Sequence, residues 1–243
     1  FLDLKAFCEE TLFPLVDLPL KQHVESLKGI IENIIPDPRD RTEEMFSGEL
    51  FTLLGTIYLH DMGLVKDYDW GMDKKVLNDL DDAGKSIFMN YGIGEKLDIP
   101  EMAIEIINYL AFSNVLRKIP IEWEITEDSK KAIIRNTKAI SYIFDFSHLL
   151  HDIFFSDIRH LQLRRFHKPK FILRPADAAL DIDSREGIIR IRYNAKFPYE
   201  MHVLEKAKTY IENKFIVFKN NVNGKLGFQY KEILWDIKSD FSY

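Results

Sequence analysis

Cysteine is almost absent from this 243-residue chain, which has a single one at Cys8. One thiol cannot form an internal disulfide, and it excludes metal clusters built from paired cysteines. Long apolar runs are missing too, because no stretch approaches the roughly 18 residues that span a bilayer. These absences predict a cytoplasmic protein that does not associate with a membrane. Any metal site in it must use histidine and carboxylate side chains.

Positive charge is also scarce, because 33 Lys and Arg residues stand against 39 Asp and Glu residues, for a net charge of -6. Nucleic-acid affinity rests largely on Lys and Arg neutralising phosphates, so we do not expect extended nucleic-acid binding. The segment 159–168 is a local exception, since it is basic with apolar residues interleaved. We interpret it as a solvated helix face or an inter-domain contact.

Helical periodicity dominates the first two-thirds of the chain, where apolar residues recur at helical spacing. The predicted helical segments are 20–34, 46–61, 85–92, 100–116 and 128–157. Between the second and third of them, residues 66–84 are acidic and rich in turn-forming types, which predicts a surface loop or short helical pieces.

The periodicity changes after Pro169. Alternating apolar residues over 171–180 and 189–193, joined by a turn at 184–187, predict a β-hairpin. An amphipathic helix over about 199–216 and a strand near 226–237 follow. The predicted fold is therefore mainly α, with a helical domain at 1–160 and a small α+β subdomain at 161–243.

A His-Asp pair, His60 and Asp61, ends the second apolar helix and is followed by an apolar residue and a glycine. His23 lies upstream on its own predicted helix, and Asp145 lies on a later one. This arrangement resembles the signature of the HD superfamily of metal-dependent phosphohydrolases over about residues 15–157. The layout is closest to HD domains found beside ATPase or other effector domains in multidomain bacterial proteins.

The resemblance implies a helical HD-type bundle in which His23, His60, Asp61 and Asp145 hold a divalent metal ion. Imidazole nitrogen and carboxylate oxygen suit Mn, Mg, Fe or Zn. Asp152 is the alternative to Asp145 as the last ligand, and each of these residues also has a purely structural interpretation. The remaining histidines are interpreted as structural: His148, His151, His160, His167 and His202.

The number of ions follows from a departure from the family pattern. Related hydrolases with two metals carry additional histidines after the His-Asp pair, but the corresponding segments 81–86 and 107–113 have none. We therefore expect one divalent ion per chain.

The implied activity is hydrolysis of a phosphate ester or anhydride, with a nucleotide or phosphorylated small molecule as substrate. His60 and Asp61 are the predicted catalytic residues, because they would hold the ion that activates water. The cations nearest in sequence that could reach a phosphate are Lys66, Lys74, Lys75 and Lys85. The missing histidines favour an alternative, a catalytically reduced HD-fold sensory or interaction module coupled to a further domain or partner protein.

Overall fold

A computed structural model describes residues 5–6, 8–15, 20–36, 47–60, 137–155, 173, 177–225 and 227–241. The described part is mainly helical, with a small three-stranded sheet towards its C-terminal end. This confirms the predicted fold class at that level. No helix in these ranges is both long and apolar enough to cross a membrane.

Several predictions lie outside the described residues. They are the loop at 66–84, the helical segments 85–92 and 100–116, and the domain boundary at 160. The contacts of the chain divide it into two compact units, Phe1–Val24 with Met45–Ser141, and Glu25–Glu44 with Tyr142–Tyr243.

Helix α1, Leu20–Ile34, confirms the first predicted helix. Its buried side chains recur every three or four residues, as a helix with one face in a core requires. They are Leu20, His23, Val24, Leu27, Ile30, Ile31 and Ile34. Only one polar side chain, that of His23, interrupts this apolar stripe.

Helix α2, Ser47–Leu59, confirms the second predicted helix. Leu53, Thr56, Ile57 and Tyr58 are all buried near its C-terminal end, so this end lies within a core. A short π-helical turn at Cys8–Leu12 and a 3-10 turn at Phe13–Leu15 precede α1. The ring of Phe13 stacks on that of Tyr58 at 6.3 Å between centroids, which ties the second turn to α2.

Helix α3, Thr137–Phe154, lies within the segment predicted at 128–157. Its buried apolar residues again follow helical spacing. They are Ala139, Ile140, Ile143, Phe144, Phe146, Leu150, Ile153 and Phe154.

The sheet has the order β1-β2-β3, with β1 at Ala178–Asp183, β2 at Ile188–Ala195 and β3 at Glu232–Ser239. β1 and β2 form an antiparallel hairpin whose turn, 184–187, is the predicted one. β2 and β3 run parallel and are connected by helix α4, Pro198–Val222. Parallel neighbours need such a crossover, and a helix usually supplies it.

An aromatic cluster forms the core of the second unit. Phe146 of α3 packs against Phe218 of α4 at 4.7 Å between ring centroids, and Phe218 packs against Tyr230 at 5.3 Å. The Tyr230 hydroxyl donates a 2.6 Å hydrogen bond to the carbonyl of Ile34, the last residue of α1. A helix leaves its last carbonyls without helical partners, so this contact satisfies one of them.

Candidate metal centre

Two buried histidines meet where α1 and the end of α2 come together. His23 lies on the buried face of α1, and His60 is the residue directly after α2. They are 6% and 7% exposed, and their Nε2 atoms lie 3.0 Å apart. The sequence predicted both as metal ligands, and the structure brings them together.

The local fold of α2 fixes which ring nitrogen of His60 carries the proton. Its Nδ1 lies 2.9 Å from the carbonyl oxygen of Ile57, which belongs to the last turn of the helix. A carbonyl oxygen can only accept a hydrogen bond, so Nδ1 carries the proton. In the neutral ring Nε2 is then a bare lone pair, and this lone pair faces His23.

The same arrangement is common among histidines that bind metals. Such histidines usually donate their second ring N–H to a carbonyl or carboxylate, which fixes both ring orientation and tautomer. In the ion-free chain the 3.0 Å separation corresponds to an N–H···N bond from His23 to His60.

The spacing of the two ring nitrogens also fits an ion. At a metal–nitrogen distance of about 2.1 Å, two imidazoles lie about 3.0 Å apart at a right angle and about 3.4 Å apart in a tetrahedron. The observed 3.0 Å therefore needs a shift of a few tenths of an ångström at most. A divalent ion would replace the shared proton between the rings.

A second group of ionisable side chains lies on α3. His148 lies on α3, and its Nε2 is 3.6 Å from Oδ1 of Asp152, one turn later in the same helix. The same carboxylate oxygen lies 3.9 Å from Nδ1 of His151. In this structure Asp152 therefore sits beside two histidines.

Of the two carboxylates predicted as metal ligands, Asp145 lies among the described residues and Asp61 does not. Asp145 is half-buried on α3, three residues before His148. Its role as a ligand stays a prediction. Asp61 and the predicted phosphate-binding lysines, Lys66, Lys74, Lys75 and Lys85, lie outside the described residues.

Asp145, His148 and Asp152 are spaced by three and four residues and so share one face of α3. The sequence interpretation took His148 as structural and did not use this spacing. A histidine beside a carboxylate can donate one ring N–H to it, which fixes the orientation of the ring. Comparisons of the chain with protein-family models, curated proteins and solved structures find no match.

Proposed function

We propose that this chain is a metal-dependent phosphohydrolase whose single divalent ion is held by His23 and His60. The observation that supports it best is the buried imidazole pair, with Nε2 atoms 3.0 Å apart and the His60 Nδ1 proton directed at Ile57. The two histidines are also the ones that the HD resemblance names.

Transition-metal ions suit this set better than Mg²⁺. Imidazole is a borderline ligand that favours Zn, Fe and related ions, whereas Mg²⁺ prefers carboxylate oxygen and water. Neutral imidazoles compensate none of the positive charge of a divalent ion, which therefore attracts carboxylates and an anionic phosphate alike.

When bound, such an ion lowers the pKa of a coordinated water and polarises a phosphoryl oxygen. The residues of the chain supply the setting for that chemistry. Ile57 holds the His60 ring in place, and the burial of both histidines keeps bulk water from competing for their nitrogens. In this proposal Asp61 and Asp145 add carboxylate oxygens, and Asp61 orients the attacking water. The substrate class is a nucleotide or another phosphate ester or anhydride.

The first stage of the test is metal content and affinity. The purified chain should hold close to one divalent ion by elemental analysis, and His23→Ala and His60→Ala should each weaken Zn²⁺ binding by about 10- to 100-fold or more. His202→Ala is the matched control, since His202 is exposed on α4 and should bind no ion. Equal affinity in the His60 and His202 variants would refute the site.

The second stage is hydrolysis. A panel of nucleotides and phosphate esters, assayed for released phosphate with Mn²⁺, Zn²⁺ and Mg²⁺, should reveal a metal-dependent activity that His60→Ala and Asp61→Ala abolish. Circular dichroism of each variant verifies its fold. Activity that survives in either folded variant would contradict the catalytic assignment.

The alternative is an HD-fold sensory or interaction module that binds the ion without catalysis. It is favoured by the lack of histidines in the segments 81–86 and 107–113, where related two-metal hydrolases carry them. Tight binding of one ion without hydrolysis of any substrate in the panel would support this module. Hydrolysis that depends on His60 would exclude it.

A further inference from the structure

Among the residues that the structure describes, strand β3 is an edge of the sheet. It pairs with β2 on one side, and β2 in turn pairs with β1. The backbone N–H and C=O groups on the other side of an edge strand can pair with another strand. β3 is eight residues long, which is enough for a stable pairing.

The apolar side chains of this edge are less well covered than those of the central strand. Ile189, Ile191 and Tyr193 of β2 are at most 2% exposed. Their neighbours in register on β3, which are Ile233, Trp235 and Ile237, are only half-buried. Extending the sheet beyond β3 would remove this remaining apolar surface from water.

The charges of β3 select one way of pairing it with itself. Antiparallel pairing about a two-fold axis at Trp235 places Glu232 opposite Lys238 of a second copy, and the reverse pair forms on the other side of the axis. Ile233 then lies opposite Ile237 on the apolar face. Opposite charges directly across a strand pair stabilise it, and like charges destabilise it.

Neighbouring registers that keep the same face towards α4 are worse. Moving the axis to Leu234 places Glu232 opposite Asp236, and moving it to Asp236 places two copies of that carboxylate against each other. A shift by one residue instead exchanges the apolar and polar faces of one strand. Moving the axis to Ile237 places Asp236 opposite Lys238 but pairs only residues 235–239 of the strand, whereas the axis at Trp235 pairs residues 232–238. The register about Trp235 is therefore the one that combines opposite charges with the longer overlap.

We propose that β3 is the self-association edge of this protein, where two chains join their sheets into one six-stranded sheet about a two-fold axis at Trp235. The partner is a second copy of the same chain, because β3 itself carries both of the opposite charges, Glu232 and Lys238, that this register pairs. A closed two-fold interface of this kind uses the same patch on both chains.

Charge reversal tests the proposal. We expect the full chain to form a dimer in sedimentation equilibrium, and Lys238→Glu to raise its dissociation constant roughly tenfold, because two symmetric pairs change from attraction to repulsion. The double variant Glu232→Lys/Lys238→Glu restores both pairs in swapped form and should recover the dimer. Lys206→Glu, an exposed position on α4, changes the charge equally and should have little effect.

Three results would overturn the proposal. They are a monomer at every concentration up to the solubility limit, a dimer that Lys238→Glu does not weaken, and a dimer that the swapped double variant does not recover. Circular dichroism on each variant shows that the fold is intact. The double variant also separates loss of pairing from local damage to β3, since it carries the same substitution at position 238.

Discussion

The side chain of His60 owes its chemical role to one backbone carbonyl. Because Ile57 accepts the Nδ1 proton, the lone pair of Nε2 is directed at His23. If His60 carried its proton on Nε2 instead, the hydrogen bond to Ile57 would be lost and Nε2 would have no lone pair for a metal ion. The carbonyl lies in the last helical turn, which also carries partial negative charge and favours a cation nearby.

This tautomer can be measured directly. In the ion-free protein, ¹⁵N–¹H correlation spectra should show His60 protonated on Nδ1 and His23 protonated on Nε2. Saturating Zn²⁺ should leave His60 unchanged and remove the proton from Nε2 of His23, because a metal needs that lone pair. A His60 ring protonated on Nε2 in the ion-free state would contradict the assignment.

At the residue scale the sequence predicted His23 and His60 but not their whole surroundings. The pair could be inferred because one polar residue interrupts the stripe of α1 and the other ends an apolar helix. The contact between His60 and Ile57 could not, since it depends on the ring rotamer. His148 was interpreted as structural, although its spacing of four residues from Asp152 places these two side chains together on α3.

At the scale of helices and strands, the prediction was best where apolar residues recur at helical spacing without a break. Both α1 and α2 match their predicted ranges closely. Helix α4 continues to Val222, six residues beyond the predicted end at 216, although Asn220 and Asn221 are poor helix formers. The reason is tertiary, because Phe218 and Val222 keep the buried stripe going and bury their side chains fully.

The start of β3 was displaced for a related reason. β3 begins at Glu232 rather than at 226, because Glu232 pairs with Ile188, the first residue of β2. β1 covers Ala178–Asp183, and most of the predicted residues before it, 171–172 and 174–176, lie outside the described ranges. Alternation along one segment shows that a strand is present, but it does not show where the neighbouring strand begins.

Glycine substitutions test the elements one at a time. Gly29 lies in the middle of α1, where an added Cβ would meet nothing within 4 Å, so Gly29→Ala should stabilise the protein by about 0.5 to 1 kcal/mol. Gly187 has φ +71°, and its Cβ would lie 2.2 Å from the carbonyl oxygen of Gln229. Gly187→Ala should therefore destabilise the hairpin by about 2 kcal/mol or more.

Gly224 supplies the control for this comparison. It has φ +77° but open space around an added Cβ, so Gly224→Ala should cost only the backbone strain, about 1 kcal/mol. Urea unfolding of the three variants gives the order directly. A Gly187 variant no less stable than the Gly224 variant would show that the turn does not approach Gln229 as described.

At the scale of the whole molecule, a buried thiol in one unit and a buried phenol in the other make the stability of the fold depend on pH in the alkaline range. Burial, reinforced by the nearby charge of Glu9, raises the pKa of the Cys8 thiol from 9.0 to about 12. Burial likewise raises the pKa of Tyr230 well above its usual 10.0, with the charge of Asp183 adding to the effect. Both groups therefore stay protonated in the folded chain after they have ionised in the unfolded one.

The stability of the protein should consequently fall as pH rises above 9. Below pH 9 the thiol of Cys8 is protonated in both the folded and the unfolded state, so its contribution to stability is complete. Between pH 9 and about 12 the thiol ionises in the unfolded state but not in the folded one, which favours unfolding. Each group contributes up to about 1.4 kcal/mol of lost stability per pH unit between its unfolded-state and folded-state pKa values.

Urea unfolding of the wild type, Cys8→Ala and Tyr230→Phe at a series of pH values measures these contributions. Cys8→Ala should make stability fall less steeply from pH 9 upward, and Tyr230→Phe should do so only above pH 10. Tyr230→Phe should also lower stability at every pH, because it removes the hydrogen bond to Ile34. Parallel pH profiles for all three proteins would mean that neither group keeps its proton in the folded state.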